Sequence, residues 1–105
     1  MSSVTSALSD VAASLSPDEL TKKVEEIKAA GNERFLKGDY TQAKALYTDA
    51  LSLNPNIVAI YSNRAICELK LEQYGLAIAD ATKAIELDAT FAKAYYRRCL
   101  LYTSD

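Results

Sequence analysis

Five polar side chains fall into one register when the chain is folded on a period of thirty-four residues. Lys28 and Asn32 stand in the first copy, Asn63 and Arg97 fold onto position 29, and Lys93 folds onto position 25. Positions 25, 28, 29 and 32 follow the i, i+3, i+4, i+7 spacing of a single helix face. Asparagine amides supply directed hydrogen bonds, and lysine and arginine supply positive charge. Together they suit a carboxylate, which offers several acceptor lone pairs on one planar group. One such residue on a helix is ordinarily solvated surface. Placed in register across three copies, the set describes a binding face.

The period is carried by other columns of the sequence. Gly31 is answered by Ala65 and Cys99, Tyr40 by Tyr74, Ala43 by Ala77, Ala50 by Ala84 and Leu53 by Leu87. This is the repeat length of tetratricopeptide (TPR) units, each a pair of antiparallel helices. Small residues at 31, 43 and 50 allow two helix axes to approach closely. The expected fold is all-α: a TPR helical-hairpin solenoid winding as a right-handed superhelix, with two full repeats and the first helix of a third.

The helices have legible ends. Ser16-Pro17-Asp18-Glu19 reads as an N-cap, a proline at the first helical position and a capping box. Gly38 stands where a helix stops and the chain needs a left-handed residue, after which Asp39 caps the next helix and Tyr40 packs into the corner. Pro55 ends that helix. The first repeat is expected to have helices over about 17–37 and 40–53, and the second over about 57–71 and 74–87. A tight turn falls near Glu72-Gln73, where the motif's glycine is Glu72; its usual proline is Ala89. Thr90 caps a third helix beginning near Phe91. The expected domain organisation is a flexible Ser-rich leader over 1–16 and a TPR domain over 17–105, with repeats at about 24–57, 58–91 and, in part, 92–105. The stripe Val24, Ile27, Gly31, with its counterparts Val58, Tyr61, Ala65 and Ala92, Tyr95, Cys99, packs on the second helix of each pair. The polar face lies opposite it and lines the concave groove. A third helix without its partner leaves Tyr95, Cys99, Leu101 and Tyr102 uncovered, so the chain reads as a fragment whose last helix frays or self-associates. Its ending, CLLYTSD, also resembles translated sequencing adapter.

Composition bounds the function. A chain of 105 residues, half of them apolar, makes one domain, which buries about 65% of the surface its unfolded chain exposes. The net charge of -2 argues against nucleic acid as a main partner. There is no histidine, which removes Ser-His and Cys-His nucleophile pairs and most zinc and iron sites. No catalytic residue, metal or cofactor is expected. Cys67 and Cys99 fall at core positions and read as buried free thiols in a reducing compartment. No apolar run reaches the length of a membrane span.

The five polar residues and their surroundings, KAAGN, YSNRA and KAYYRR, resemble the dicarboxylate-clamp TPR family. Within it, Glu72 to Arg98 is most similar to the N-terminal TPR domain of type-5 serine/threonine-protein phosphatases. The resemblance covers about Val24 to Arg98. It implies a non-catalytic interaction module that holds the acidic C-terminal tail, ending Glu-Glu-Val-Asp, of the ninety-kilodalton and seventy-kilodalton heat-shock chaperones. It also implies a targeting and autoinhibitory role beside a metal-dependent phosphatase domain, in the cytoplasm and nucleus. By the same resemblance Lys28, Asn32 and Asn63 hold the terminal carboxylates, while Lys93 and Arg97 grip the tail's backbone and acidic side chains. Phe35, Leu36, Ile66 and Tyr96 read equally as walls of the groove against its aliphatic residue and as core or groove filler alone. Two alternatives stand beside this reading: the TPR domain of another chaperone-binding co-chaperone, and a scaffold TPR for a different peptide or helical partner.

Overall fold

In the computed structural model, which describes residues 15–88, the first helix, α1 (Pro17–Leu36), starts at the expected cap. The Ser16 hydroxyl accepts from the Glu19 amide at 3.2 Å, and the Ser16 amide donates to Glu19 Oε1 at 3.0 Å. These two bonds satisfy donors that a bare helix start would leave open. The cap also holds the Glu19 carboxyl below its ordinary range, through the backbone hydrogen bond first. Three further helices follow: α2 (Tyr40–Leu53), α3 (Val58–Lys70) and α4 (Tyr74–Leu87). There is no strand among the described residues. α1 packs on α2, α2 on α3 and α3 on α4, so each element lies against its neighbour in the chain. That is the order of two stacked helical hairpins. The expected third repeat, with Thr90, Tyr95, Leu101 and Tyr102, lies outside the described residues, as does the leader over 1–14.

Both hairpin turns end their first helix in the same way. After α1, the Gly38 amide donates to Phe35 O and the Asp39 amide to Arg34 O, each at 3.0 Å, with Gly38 at φ 80°. After α3, the Glu72 amide donates to Leu69 O at 3.1 Å and the Gln73 amide to Glu68 O at 2.7 Å. This is the Schellman pattern, which needs a left-handed residue at its centre. In the second repeat that residue is Glu72, at φ 61°. A side chain there costs about 1–2 kcal/mol of steric strain. Asp39 caps α2 by accepting from the Gln42 amide at 3.2 Å, whereas Gln73, its counterpart, makes no side-chain cap for α4. Tyr40 packs edge-on against Phe35, ring centroids 5.5 Å apart. The predicted helix bounds need trimming where caps were counted as helix. Lys37 closes α1, and Ile57 and Leu71 bracket α3.

Small residues let the hairpins close. Ala43, Ala50, Ala77, Ala81 and Ala84 are fully buried, and Ala65 and Gly31 are buried with them. Tyr47, Ile60 and Cys67 fill the space between. Burying a residue such as Ile60 is worth about 1.5–3 kcal/mol. The Cys67 thiol is buried and free; burial, then the nearby Glu68, push it up to about 11, so it is an inert thiol at neutral pH.

The two hairpins are joined by polar as well as apolar contacts. Tyr61 of α3 donates its hydroxyl to Pro55 O at 2.8 Å, pinning the turn between repeats. Arg64, on the same helix, forks onto Asp80 of α4 through Nε and Nη2, each 2.7 Å from a carboxylate oxygen. It also donates Nη1 to the Thr48 hydroxyl of α2 at 3.2 Å. Lys44 of α2 donates to Gln73 Oε1 at 2.6 Å and stands 3.5 Å from Glu68. Glu68 is buried at the centre, and its Oε1 has no donor within reach among the described residues. The cations Lys44 and Arg64 (3.9 Å away) favour its ionised form. Burial, then the Asp80 carboxylate, outweigh them and push it up to about 8. Asp80 already takes the best donors of Arg64, and a protonated Glu68 can donate to Asp80.

Two expectations follow from these turns and this junction. Glu72→Gly should raise the unfolding free energy by about 1 kcal/mol and Gly38→Ala lower it by about 1 kcal/mol, because each changes the strain at a left-handed position. Urea titration checks both, and equal stability of all three proteins would contradict the strain reading. Glu68 has a folded-state pKa above its unfolded value of 4.5. Its contribution is therefore fully present below about pH 4.5 and is lost as pH rises towards 8. Thermal unfolding measured from pH 5 to 8 should show this decline in the native sequence and a flatter profile in Glu68→Gln.

Candidate functional site

Asn32 near the end of α1 and Asn63 in the middle of α3 open onto one shallow pocket of about 330 Å³, which Phe35, Leu36 and Tyr47 complete. The two asparagines come from the first helix of each hairpin and occupy neighbouring positions of the repeat face. Stacking the hairpins brings them side by side, although thirty-one positions of sequence separate them. Phe35 and Leu36 supply the apolar rim, and Leu36 is 85% exposed. Such a pocket offers amide hydrogen bonds at its floor and apolar surface at its edge.

Lys28 lies one turn before Asn32 on α1, half-buried, with its ammonium 3.1 Å from Glu25. It is not among the residues that line the pocket. The Glu25 pair is largely solvated, and such surface pairs contribute little, so Lys28 can exchange it for another anion. Ile66, three residues beyond Asn63, is half-buried and also does not line the pocket. Among the four suggested wall residues, Phe35 and Leu36 reach it. Tyr96, Lys93 and Arg97 lie outside the described residues.

The pocket contains one residue that repeat logic passed over. Tyr47 belongs to α2, and its thirty-four-residue counterpart is Ala81, so its column shows no recurring polar group. Its ring is buried, 1% exposed, and its hydroxyl donates to Asn32 Oδ1 at 2.6 Å. Burial, and then the adjacent Cys67, push the hydroxyl up to about 12, outweighing the lowering influence of Asn63. The phenol is therefore a neutral donor at every physiological pH. A signal did exist in the sequence. Tyr47 stands four residues after Ala43 and three before Ala50, on the inward stripe of its helix, and an inward tyrosine hydroxyl requires a partner. The placement of Asn32 needs correcting accordingly: the polar face does not lie opposite the packed stripe but borders it, with half-buried Asn32 bonded to α2.

The tetratricopeptide repeat model matches residues 29–57 and 58–91, one copy for each hairpin. The chain belongs to the tetratricopeptide repeat family. Among curated relatives, human serine/threonine-protein phosphatase 5 is 44% identical over 81 residues, which is 77% of this chain and 16% of the phosphatase. Serine/threonine-protein phosphatase T of Aspergillus oryzae is 45% identical over 78 residues, 74% of this chain and 16% of that protein. The chain thus spans about a sixth of the length of these relatives. Among solved structures, the second TPR of Spaghetti (RPAP3) bound to the HSP90 peptide SRMEEVD superposes with a TM-score of 0.74 at 34% identity, covering 76% of this chain and 74% of that one. The TPR2B domain of yeast Sti1 in its pHsp70 complex gives 0.74 at 40% identity, covering 76% and 64%.

The close approach of this TPR hairpin depends on Gly31. A Cβ there would stand 2.8 Å from Tyr47 Cε1 and 3.0 Å from its Cδ1. The ring cannot swing aside while its hydroxyl is tied to Asn32. Gly31→Ala gains about 1 kcal/mol of helix propensity and loses about 1–3 kcal/mol to overpacking, so a net destabilisation of about 1 kcal/mol is expected. Gly75, where an added Cβ would meet nothing within 4 Å among the described residues, provides the opposite case: Gly75→Ala should stabilise by up to about 1 kcal/mol. Denaturant midpoints of the two variants should move in opposite directions.

Proposed function

We propose that this chain is a protein-interaction module that binds the acidic C-terminal tail of heat-shock chaperones through a carboxylate clamp. Lys28, Asn32 and Asn63 hold the terminal carboxylates, and Lys93 and Arg97 grip the backbone and acidic side chains that precede them. The observation that carries the reading is the meeting of Asn32 and Asn63 in one pocket rimmed by Phe35 and Leu36. Amide donors at the floor meet a carboxylate, and the apolar rim accommodates the aliphatic residue beside it. Solved TPR domains of similar fold that hold such peptides support the reading. The likeness to phosphatase 5 supports a place for the module as the targeting and autoinhibitory part of a protein phosphatase, in the cytoplasm and nucleus.

A charge-assisted hydrogen bond is worth about 1.5–3 kcal/mol, and each 1.4 kcal/mol is about tenfold in affinity. Asn32→Ala or Arg97→Ala should therefore weaken binding of an acidic chaperone-tail peptide by about tenfold to a hundredfold in isothermal titration. Arg98→Ala, one residue on and off the face, should change it far less. Added salt should weaken the native chain more than the Arg97 variant, because part of the attraction is Coulombic. Equal binding by the Arg97 and Arg98 variants would overturn the clamp.

A further inference from the structure

The Asn32 amide has two ends of opposite character: a carbonyl oxygen that accepts and an NH2 group that donates. A carboxylate ligand is attracted by one and repelled by the other. A free asparagine at a pocket mouth can turn either end outwards. Here the choice is made from behind, because the Tyr47 hydroxyl donates to Asn32 Oδ1 at 2.6 Å and holds the oxygen on the protein side. The Asn32 NH2 is left for the pocket.

The tyrosine is itself fixed. Its ring is 1% exposed and lies against the bare Cα of Gly31, where no side chain would fit. Asn63 lines the same pocket.

We propose that Tyr47 is a positioning residue for the carboxylate site, fixing the polarity of the Asn32 amide so that donors rather than an acceptor face the ligand. The inference deepens the proposed function and rests on it: the ligand class is a peptide with a free C-terminal carboxylate. The hydroxyl of the tyrosine is committed to Asn32 Oδ1. It acts through Asn32, and its contribution is selectivity for an anion over a neutral terminus.

The test uses the full chain and two synthetic peptides, SRMEEVD as the free acid and the same peptide amidated at its C-terminus, in isothermal titration. The native chain should prefer the free acid. Tyr47→Phe keeps the ring and removes the hydroxyl. It should weaken free-acid binding by about threefold to tenfold, the worth of one oriented neutral hydrogen bond, and leave the amidated peptide nearly unchanged, so the preference shrinks. A purely structural role would weaken both peptides alike, and that result would overturn the inference. In an Asn32→Ala background Tyr47→Phe should have no further effect, since the residue it acts through is gone. Asn32→Asp keeps the acceptor that Tyr47 uses but offers no donor to the pocket. It should lose the preference for the free acid, and wild-type preference in this variant would also overturn the inference. The variant also keeps the question answerable should Tyr47→Phe not fold. A native chain that does not distinguish the two peptides overturns the proposed function itself. A native preference that persists unchanged in Tyr47→Phe overturns the positioning role alone.

Discussion

The contact between the Tyr47 ring and the backbone at Gly31 sets the distance between α1 and α2. Helices that carry ordinary side chains at their crossing stand about 8–10 Å apart. A bare Cα facing an aromatic ring allows a closer approach than a side chain there would. It also brings the tip of the tyrosine level with Asn32, one residue on. Core packing and the polar pocket are therefore a single feature: the residue that fills the space between the helices also supplies the hydroxyl that organises the pocket floor.

A second constraint acts between the hairpins. A solenoid has no central core around which distant segments gather, so each unit is held by the one beside it. In this chain the junction is partly polar. The Arg64–Asp80 fork ties α3 to α4, and the bond from Arg64 to Thr48 carries the link back to α2. A guanidinium fork fixes direction as well as distance. Asn63, adjacent to Arg64, is thereby held at a defined height relative to Asn32. Replacing this network with apolar packing would retain burial and give up that directional control.

Much of the architecture was legible before any coordinates. Residues such as Ser16, Gly38 and Asp39 act on their own neighbourhood, and each sits where its local chemistry placed it. The columns of small residues identified the crossing points because close packing forbids anything larger there. The left-handed strain at Glu72 was present only as a missing glycine, and its size became visible through the backbone angle. In the site, Asn32 and Asn63 were found by periodicity. Phe35 and Leu36 reach the pocket, Ile66 does not, and the stripe opposite which Asn32 was placed turned out to be its border.

The sequence by itself determined the repeat, the helix ends, the small-residue crossings and the type of chemistry on the repeat face, because all of these depend on spacing along one chain or on a residue's own conformational preferences. Only the tertiary structure decided that Tyr47 joins the pocket, that its hydroxyl takes the Asn32 carbonyl oxygen, and that Glu68 lies buried between Lys44, Arg64 and Asp80. Each of those facts involves side chains from different helices, brought together across the repeat period rather than along it. A hydrogen bond between residues fifteen apart, or a carboxyl buried among groups from three helices, depends on where helix axes cross in space. No period along the sequence carries that information.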